Sequence, residues 1–244
     1  ERKHCYILPG MGWNYYHWLL ETVPLLRHYP EAVGDGEKPP LALFFPLKKW
    51  HLETLRLLGM GDVDLLPYEE GRWFRYECAW LPEFASHCLV PSPEDIEFLR
   101  ERLAKPAKPK AGKKVFLTRR GVSAIRTVKG RKALEEKYRA KGFDVLDPSR
   151  MSLGQQIEFF SDADVVVAEG GAALANMVFC PNDAKFIIYS GDRAWAETFT
   201  MIASVLGQEV EVHLGQTHPV PNPYYLWTAF DVAGLKNLTR RNNA

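Results

Sequence analysis

The sequence predicts an α/β protein of two domains with parallel sheets. Short β-rich runs alternate with helical patterns along both halves of the chain, which is the order that builds parallel strands covered by helices. A segment at 105–112 interrupts the alternation, since it mixes proline with lysine and has no apolar periodicity. We therefore predict an N-terminal domain at 1–105, a C-terminal domain at 113–214, and a surface segment with a short helix at 215–244.

The length and composition agree with this division. The chain has 244 residues, of which 46% are apolar, and this is enough for two cores of roughly 100 residues each. Basic and acidic side chains almost cancel, 31 against 30, so no overall field can recruit nucleic acid or an anionic membrane. We expect no nucleic acid partner, and any recognition of an anion must be local.

The N-terminal half repeats a strand–helix–strand order. Its predicted elements are a strand, a helix and a second strand, at 41–45, 48–58 and 63–66. Leu52, Leu55 and Leu58 fall on one face of the helix, which predicts that they are buried together.

The C-terminal domain contains a longer run of the same alternation. Its predicted strands are at 114–118, 143–146, 164–168, 185–189 and 209–213. Its predicted helices are at 129–141, from 153, from 172 and at 193–206. This order predicts a doubly wound parallel sheet, so both domains are expected to be Rossmann-like.

The cysteines and the start of the chain bear on the compartment. The four cysteines have no C-x-x-C pair and no histidine at metal-ligand spacing, and they are Cys5, Cys78, Cys88 and Cys180. We interpret them as buried thiols, with a Cys78–Cys88 bridge as the alternative in an oxidising compartment. No apolar run is long enough to cross a bilayer. The chain begins at Glu1 without methionine, so we expect a piece of a longer protein. The expected location is the cytoplasm, with membrane association through a missing segment or partner, or the Golgi or ER lumen in a eukaryote.

A glycine pair follows one buried strand. The strand at 164–168 runs into Glu169, Gly170 and Gly171, and a helix then starts at Ala172. Glycine lets a backbone approach a ligand closely, and a helix N-terminus offers N–H groups to a phosphate. The alternative is that any doubly wound domain needs small residues at such a turn.

Arginines follow another strand of the same domain. Thr118, Arg119 and Arg120 end the strand at 114–118, and Arg126 lies a few residues further on. Guanidinium groups make bidentate contacts with phosphate oxygens, although a solvated basic loop is the alternative. Because the carboxyl ends of parallel strands meet at one edge of a sheet, the two loops together favour a shared anionic ligand.

A histidine and a carboxylate share a predicted helix near the N-terminus. Asn14 is the predicted cap, and the spacing of four residues puts His17 and Glu21 on one face. The carboxylate can orient the imidazole, and imidazole is suited to general-base work at neutral pH. A purely structural helix contact is the alternative.

In this order, the three segments resemble glycosyltransferase family 61. That family has an N-x-x-H-W/F motif followed by an acidic residue, here matched by Asn14, His17, Trp18 and Glu21. Its strand ending in S/T-R-R/K, with another arginine after it, is matched by Thr118, Arg119, Arg120 and Arg126. Its glycine-rich turn and G-A-x-L-x-N block are matched by Gly171, Ala172, Leu174 and Asn176.

The resemblance implies a GT-B-like fold, two Rossmann-like domains facing a cleft, and an inverting, metal-independent sugar transfer. The implied donor is a nucleotide diphosphate sugar, no further cofactor is expected, and the acceptor is a hydroxyl of a glycan, polysaccharide or glycoconjugate. His17 would take the acceptor's proton and Glu21 would position His17. Glu169 is a second candidate for a base or for a contact to a sugar hydroxyl. The expected donor-binding residues are Thr118, Arg119, Arg120, Arg126, Gly170, Gly171, Ala172 and Asn176. The expected acceptor-side residues are Asn14 and Trp18.

Two positions depart from the family's pattern. Gly170 stands where the family usually has a histidine, and Lys129 with Gly130 stands where it usually has Asn-Glu. Both positions lie near the donor in the family. The departures leave open a rival function, a catalytically inactive carbohydrate- or nucleotide-binding module of the same fold. An oxidoreductase that uses a dinucleotide is a weaker alternative, because no complete G-x-G-x-x-G follows a strand.

Two further patterns have competing interpretations. Asp62-Val63-Asp64 and Asp162-Ala163-Asp164 imitate a D-x-D metal signature, but each precedes a strand, at the edge opposite the expected ligand site, so we predict no metal there. An aromatic stripe favours packing, with sugar stacking as the alternative, and consists of Trp73, Tyr76, Trp80 and Phe84.

Overall fold

A computed structural model of the chain describes residues 2–33, 36–66, 68–71, 75–83, 89–104, 112–120, 128–191, 193–218 and 227–229. The chain divides into two compact units. The first unit is Glu1–Lys105 with Ser152–Gly154, and the second unit is Pro106–Met151 with Gln155–Ala244. The predicted seam at 105–112 lies outside the described residues, except for Gly112.

The first unit contains a four-stranded parallel sheet. Its strands are β1 (Arg2–Leu8), β2 (Leu41–Leu43), β3 (Leu65–Leu66) and β4 (Tyr76–Trp80). They lie in the order β3-β2-β1-β4 and are all parallel. From β1 the chain builds outward to β2 and β3, and it then returns to the other side of β1 for β4. The direction of winding therefore reverses between β1 and β4.

Helical segments connect these strands. They are α1 (Tyr15–His17), a π-helical turn (Trp18–Thr22), a 3₁₀ segment (Val23–His28), α2 (Tyr29–Val33), α3 (Lys49–Leu57) and α4 (Pro93–Leu103). A reciprocal capping box starts α4, because the Ser92 hydroxyl accepts from the Asp95 amide and the Asp95 carboxylate accepts from the Ser92 amide.

The first unit confirms the predicted α/β order and corrects its details. The observed β2 and β3 are shorter than predicted, and the sequence does not predict β1, β4 or α4. The stripe prediction is wrong for Leu52, which is 43% exposed. The buried face of α3 is rotated by one residue, because it includes the polar residues His51 and Thr54 as well as Leu55.

A buried histidine holds the loop at 9–14, which connects β1 to α1. The Nδ1 atom of His51 accepts from the Lys48 amide at 2.7 Å, and Nε2–H donates to the Gly12 carbonyl at 2.8 Å. An amide only donates and a carbonyl only accepts, so this ring is neutral with its proton on Nε2. The Phe45 ring lies where a side chain on Gly12 would begin, since an added Cβ would be 2.2 Å from it. Only glycine fits there.

The second unit contains a five-stranded parallel sheet, as predicted. Its strands are β5 (Lys113–Leu117), β7 (Asp144–Leu146), β8 (Ala163–Glu169), β9 (Lys185–Ser190) and β10 (Glu209–Leu214), with the two-residue β6 (Val128–Lys129) outside this sheet. The order is β10-β9-β8-β5-β7, and every neighbouring pair is parallel. The helices are α5 (Arg131–Arg139), α6 (Leu153–Phe160, whose first two residues belong to the first unit) and α7 (Arg193–Leu206), with a 3₁₀ turn at Pro148–Arg150.

The helix after β8 differs in type from an ordinary α-helix. It starts at Ala172 as predicted, but Ala172–Phe179 is a 3₁₀ helix. Its first turn closes by a bond from the Leu174 amide to the Gly171 carbonyl at 3.0 Å. The side-chain amide of Asn176 donates to the Ala173 carbonyl at 3.0 Å, and such a local bond competes with α-helical pairing.

A hydrophobic cluster fixes α5 against the sheet of the second unit. Leu134 and Tyr138, one turn apart on α5, pack with Phe116, Val167 and Tyr189 of the strands. The two tyrosine hydroxyls are 2.8 Å apart. This packing sets where the adjoining side of α5 places Arg131 and Glu135.

Part of the predicted surface segment at 215–244 forms strands. β11 (Gln216–His218) pairs antiparallel with β12 (Trp227–Ala229), and β12 pairs parallel with β6. The short helix predicted at the end of the chain lies outside the described residues.

The cysteine prediction is correct in part. Cys5 and Cys180 are buried, but Cys78 is exposed because it lies on the edge strand β4. Cys88 lies outside the described residues. Within the described ranges, no helix has both the length and the apolar character needed to span a bilayer.

We expect His51 to make stability depend on pH. Burial lowers the pKa of His51 from 6.5 to about 4, more than its bond to Gly12 raises it. Between pH 6.5 and pH 4, His51 binds a proton in the unfolded chain but stays neutral in the folded chain. The free energy of unfolding should therefore fall by up to about 3 kcal/mol between pH 7 and pH 4 from this group alone.

Urea denaturation of wild type and His51→Gln at several pH values would measure this contribution. The variant cannot titrate at position 51, so its stability should fall less steeply over the same range. Equal slopes for the two proteins would show that His51 does not cause the dependence.

Candidate active site

The winding of the second unit reverses between β5 and β8. From β5 the chain crosses to β7 at one edge, and it then returns to β8 on the other side of β5. In open α/β sheets, the loops that leave carboxyl ends at such a reversal separate and leave a crevice for ligands. The loop after β5 starts at Thr118, and the loop after β8 starts at Gly170. Both predicted anion-binding loops therefore lie at this reversal.

Arg119 connects the two loops. Its Nη1 donates to the Gly170 carbonyl at 3.0 Å. The guanidinium lies so close to the backbone that a Cβ on Gly171 would come within 1.4 Å of Nη1. The φ of Gly171 is 174°, which is extended backbone that any residue adopts. Glycine at 171 leaves room for the Arg119 guanidinium, and any side chain there would displace it.

Gly170 continues the pairing of β8 with β9. Its amide donates to the Tyr189 carbonyl at 2.8 Å, and a Cβ at this position would meet the Ser190 hydroxyl at 3.2 Å. The sequence did not indicate Ser190, which brings a hydroxyl to the same edge. Ala172 then begins a helix, whose first amides point away from the helix body towards this edge.

Thr118 and Arg120 both bind Glu135, a fully buried residue of α5. The Thr118 hydroxyl donates to Oε1 at 2.5 Å, Arg120 Nε donates to the same oxygen at 3.1 Å, and Arg120 Nη2 pairs with Oε2. A buried carboxylate needs such partners, because an uncompensated charge is strongly destabilising. These contacts tie the β5 loop to α5, a structural role that the sequence did not predict for either residue.

Glu169 is engaged by Arg131, the first residue of α5. Arg131 Nε donates to Oε1 at 2.5 Å and Nη2 donates to Oε2 at 2.8 Å. The Glu169 side chain is 1% exposed. Both carboxylate oxygens are therefore engaged in a buried bidentate pair with one arginine. The structure favours a positioning role for Glu169 over that of a base.

Asn176 is fully buried and packs inside the second unit. Its Nδ2 donates to Oε1 of Gln156 at 2.8 Å, in addition to the Ala173 carbonyl. These contacts give Asn176 a role in shaping the 3₁₀ helix that follows the glycine pair, and its predicted donor contact stays a prediction.

His17 and Glu21 form the predicted pair in the first unit. The Nδ1 of His17 and Oε2 of Glu21 are 2.8 Å apart, and the two side chains are 6% and 12% exposed. An ionised carboxylate only accepts hydrogen bonds, so Nδ1 carries the proton and the lone pair lies on Nε2. This tautomer is the one that can take a proton at Nε2.

A π-helical turn follows His17 and contains Glu21. It covers Trp18–Thr22, starts directly after His17, and closes with a bond from the Val23 amide to the Trp18 carbonyl. Such turns are rare and occur frequently at functional sites. Asn14 begins this segment as predicted, because its side-chain oxygen accepts from the Tyr16 amide at 2.9 Å. The sequence predicts the cap and the pair but not the π geometry.

Trp18 is a core residue. It is fully buried, and its indole Nε1 donates to the Thr54 hydroxyl at 3.0 Å. Its ring meets the His51 ring edge-on, with centroids 4.6 Å apart. Trp18 therefore anchors the helix that carries His17, and its predicted place on the acceptor side stays a prediction.

The remaining predicted features are residues that the structure does not describe and aspartates that have other contacts. Arg126, Trp73 and Phe84 lie outside the described residues. Asp62 binds the Lys38 ammonium, and Asp164 accepts from the Lys113 amide at 2.9 Å. In the part of the chain that the structure describes, no three His, Cys, Asp or Glu side chains are grouped to hold a metal.

Sequence reasoning misses the partners that hold the predicted residues. Arg131 and Glu135 lie one turn apart on α5, and each pairs with a residue of a strand or loop. Their spacing of four residues on a helix, beside the apolar face, was the available signal. It does not say which partner each residue takes, because the partners lie 15 and 38 residues away.

These features define a mixed α/β protein with two parallel sheets, compatible with Rossmann-like folds, whose conspicuous loops lie where the winding reverses. The model of the family described as glycosyltransferase 61 matches residues 15–187, well over half of the chain. The chain therefore belongs to glycosyltransferase family 61, and the protein is a glycosyltransferase that acts on a sugar donor and an acceptor. The matched range includes His17, the β5 loop and the glycine pair. No curated protein sequence matches the chain.

Gly171→Ala should weaken binding of a nucleoside diphosphate by roughly ten- to a hundredfold, the range for a hydrogen-bonded charge. The added methyl group would displace the Arg119 guanidinium while the backbone stays permitted. Isothermal titration calorimetry would measure the affinity. Gly61→Ala is the matched control, because its Cβ would be 3.6 Å from the nearest atom, an ordinary contact.

The same change in an Arg119→Ala background tests the cause. If the glycine acts through the arginine, the double variant should bind no more weakly than Arg119→Ala alone. Additive losses would mean that Gly171 contributes to binding independently of Arg119.

Proposed function

We propose that this glycosyltransferase moves a sugar from a nucleotide diphosphate donor to a hydroxyl of a glycan acceptor, with inversion and without a metal. The proposed enzyme is of the GT-B type, with the acceptor served by the first unit and the donor by the second. The observation that carries the proposal is the buried His17–Glu21 pair at 2.8 Å, within the range that matches the family.

The pair supports His17 as the general base. With its proton on Nδ1, the ring has a lone pair at Nε2 that would accept the proton of an acceptor hydroxyl. The ring then becomes a cation, and the Glu21 carboxylate stabilises that cation as it forms. Both side chains are almost fully buried, so their attraction is weakened little by water. Glu21 is a positioning residue in this scheme.

The Arg119 loop supports a diphosphate site in the second unit. Negative charge grows on the diphosphate as the bond to the sugar breaks, and a guanidinium offers two parallel N–H groups to two oxygens. Arg119 is already held at Gly170, so little reorganisation is needed when that charge appears. We assign Arg126, Gly171 and the start of the helix at Ala172 to the same diphosphate.

The pairing of Glu169 supports a single displacement. A double displacement needs a carboxylate that attacks the anomeric carbon, and both oxygens of Glu169 are engaged by Arg131. In a single displacement the acceptor oxygen attacks directly while the bond to the diphosphate breaks, and the configuration at the anomeric carbon inverts. The acceptor proton passes to His17, and the diphosphate leaves with the electron pair.

His17→Ala should lower turnover by about a hundred- to ten-thousandfold, the range for a lost general base, and leave nucleotide affinity near that of wild type. Arg119→Ala should both weaken nucleotide binding and slow transfer, because the diphosphate is held before and during reaction. Steady-state kinetics and calorimetry on the same samples would separate the two effects. His4→Ala, a change at an exposed histidine of the same unit, is the matched control.

Two other results would redirect the proposal. Weak nucleotide binding by His17→Ala would place His17 at the donor instead of the acceptor. A wild-type chain that binds nucleotide sugar but neither transfers nor hydrolyses it would support the rival function, a binding module without turnover.

Glu21→Gln should keep the contact to His17, lose its charge, and reduce kcat more than KM.

We also expect activity to survive a chelator. A diphosphate compensated by arginines and a helix start needs no divalent cation for its charge. Transfer rates measured with and without EDTA should agree within about twofold. A loss of turnover that manganese or magnesium restores would assign a role to metal and contradict this part of the proposal.

A further inference from the structure

A cavity of about 500 Å³ opens in the first unit at the end of β4. This volume lies in the range of about 300–1,000 Å³ that is usual for small-ligand sites. The side chains that carry its chemistry are Tyr6, Arg27, Glu31, Trp80, Leu81 and Glu83. None of them belongs to the His17 pair or to the loops of the second unit.

The cavity has a rigid floor. Tyr6 is 1% exposed, and its hydroxyl donates to the Leu25 carbonyl at 2.6 Å. Its ring meets the Tyr29 ring edge-on, with centroids 5.3 Å apart. Tyr6 pairs in register with Trp80 on the neighbouring parallel strand, so the two side chains project to the same side of the sheet. Tyr6 and Trp80 therefore lie side by side along the cavity.

An aromatic and apolar wall stands beside this floor. Trp80 is 42% exposed and Leu81 is 67% exposed, although both are large and apolar. An exposed indole next to polar groups suits a ligand that has one apolar face and polar edges. A pyranose ring has this character, since its C–H bonds form an apolar face and its hydroxyl groups surround it.

The charges around the cavity select against anions. The guanidinium of Arg27 forms an ion pair with Asp95, whose side chain is 4% exposed, so its charge is balanced within the protein. Glu31 and Glu83 add two carboxylates at exposed positions, and His28, which also lines the cavity, lies 3.4 Å from Oε1 of Glu31. Carboxylates accept hydrogen bonds from hydroxyl groups and repel phosphates and uronic acids.

We infer that this cavity binds a neutral sugar unit of the acceptor glycan, with Trp80 as the stacking surface and Glu31 and Glu83 as acceptors for its hydroxyl groups. That the bound sugar is an acceptor rests on the proposed function. Binding of a saccharide in this cavity does not require turnover. The carboxyl end of β4 borders that of β1, after which the segment with His17 begins. Sugar binding here would hold the glycan at the same edge of the sheet.

Saturation-transfer NMR with the whole chain would test the site without any donor. The probes are cellotriose, mannotriose and galactotriose, and a trigalacturonate as the anionic counterpart. At least one neutral trisaccharide should bind wild type, and Trp80→Ala should weaken it about tenfold or more, as expected for a lost aromatic contact. Tyr68→Ala, a change at another exposed aromatic residue of the unit, should bind like wild type.

The charge argument has its own variant. Glu31→Gln/Glu83→Gln should narrow the preference for the neutral trisaccharide over trigalacturonate. An unchanged preference would show that Glu31 and Glu83 do not determine which sugar binds. Failure of every neutral trisaccharide to bind wild type, or equal binding by Trp80→Ala, would overturn the inference.

Kinetics distinguish this inference from the proposed function. With an acceptor that wild type uses, Trp80→Ala should raise the acceptor KM about tenfold and leave the donor KM and donor hydrolysis unchanged. Transfer with normal acceptor KM in Trp80→Ala would contradict the site and leave the proposed function standing. If the chain has no turnover but binds sugar in a way that depends on Trp80, the saccharide site would be supported and the proposed function contradicted.

Discussion

The reversal of winding in each parallel sheet is the constraint on which the rest of the structure depends. Parallel strands bring all their carboxyl ends to one edge, and neighbouring loops at a reversal leave that edge in different directions. In the first unit the reversal lies beside β1, and the segment with His17 follows β1. In the second unit it lies between β5 and β8, whose loops carry Arg119 and Gly170. The topology thus sets where chemistry is possible before any side chain is chosen.

Buried ion pairs then decide which polar groups serve the fold. Glu135 and Glu169 are inaccessible, and each holds an arginine of the second unit in a fixed place. Removing one partner would leave a buried charge, which is far costlier than the loss of an exposed pair. Such pairs give the loops rigidity and explain why arginines that look alike in the sequence have different roles. Arg119 instead donates to a backbone carbonyl at the glycine pair.

The start of the helix with His17 depends on a second set of buried groups. His51 is neutral because of burial, and it links the α3 start to the Gly12 carbonyl. Phe45 fills the space beside Gly12, and Trp18 packs on Phe45 and His51. These contacts fix the segment that carries His17 through Trp18, and they do not involve the side chains of His17 and Glu21. The tryptophan after the histidine belongs to this support.

The sequence by itself determined the alternation of strands and helices, the five strands of the second sheet, the Asn14 cap and the His17–Glu21 contact. Each of these follows from local periodicity or from residues within one turn of helix, so residues close together in the sequence are enough to predict it. Only the tertiary structure decided that Leu52 is exposed, that Trp18 and Asn176 are buried, and that Glu169 pairs with Arg131. Those outcomes depend on groups brought together from positions far apart along the chain. A pattern of residue types states which groups are available, and the packing of the folded sheet decides which of them meet.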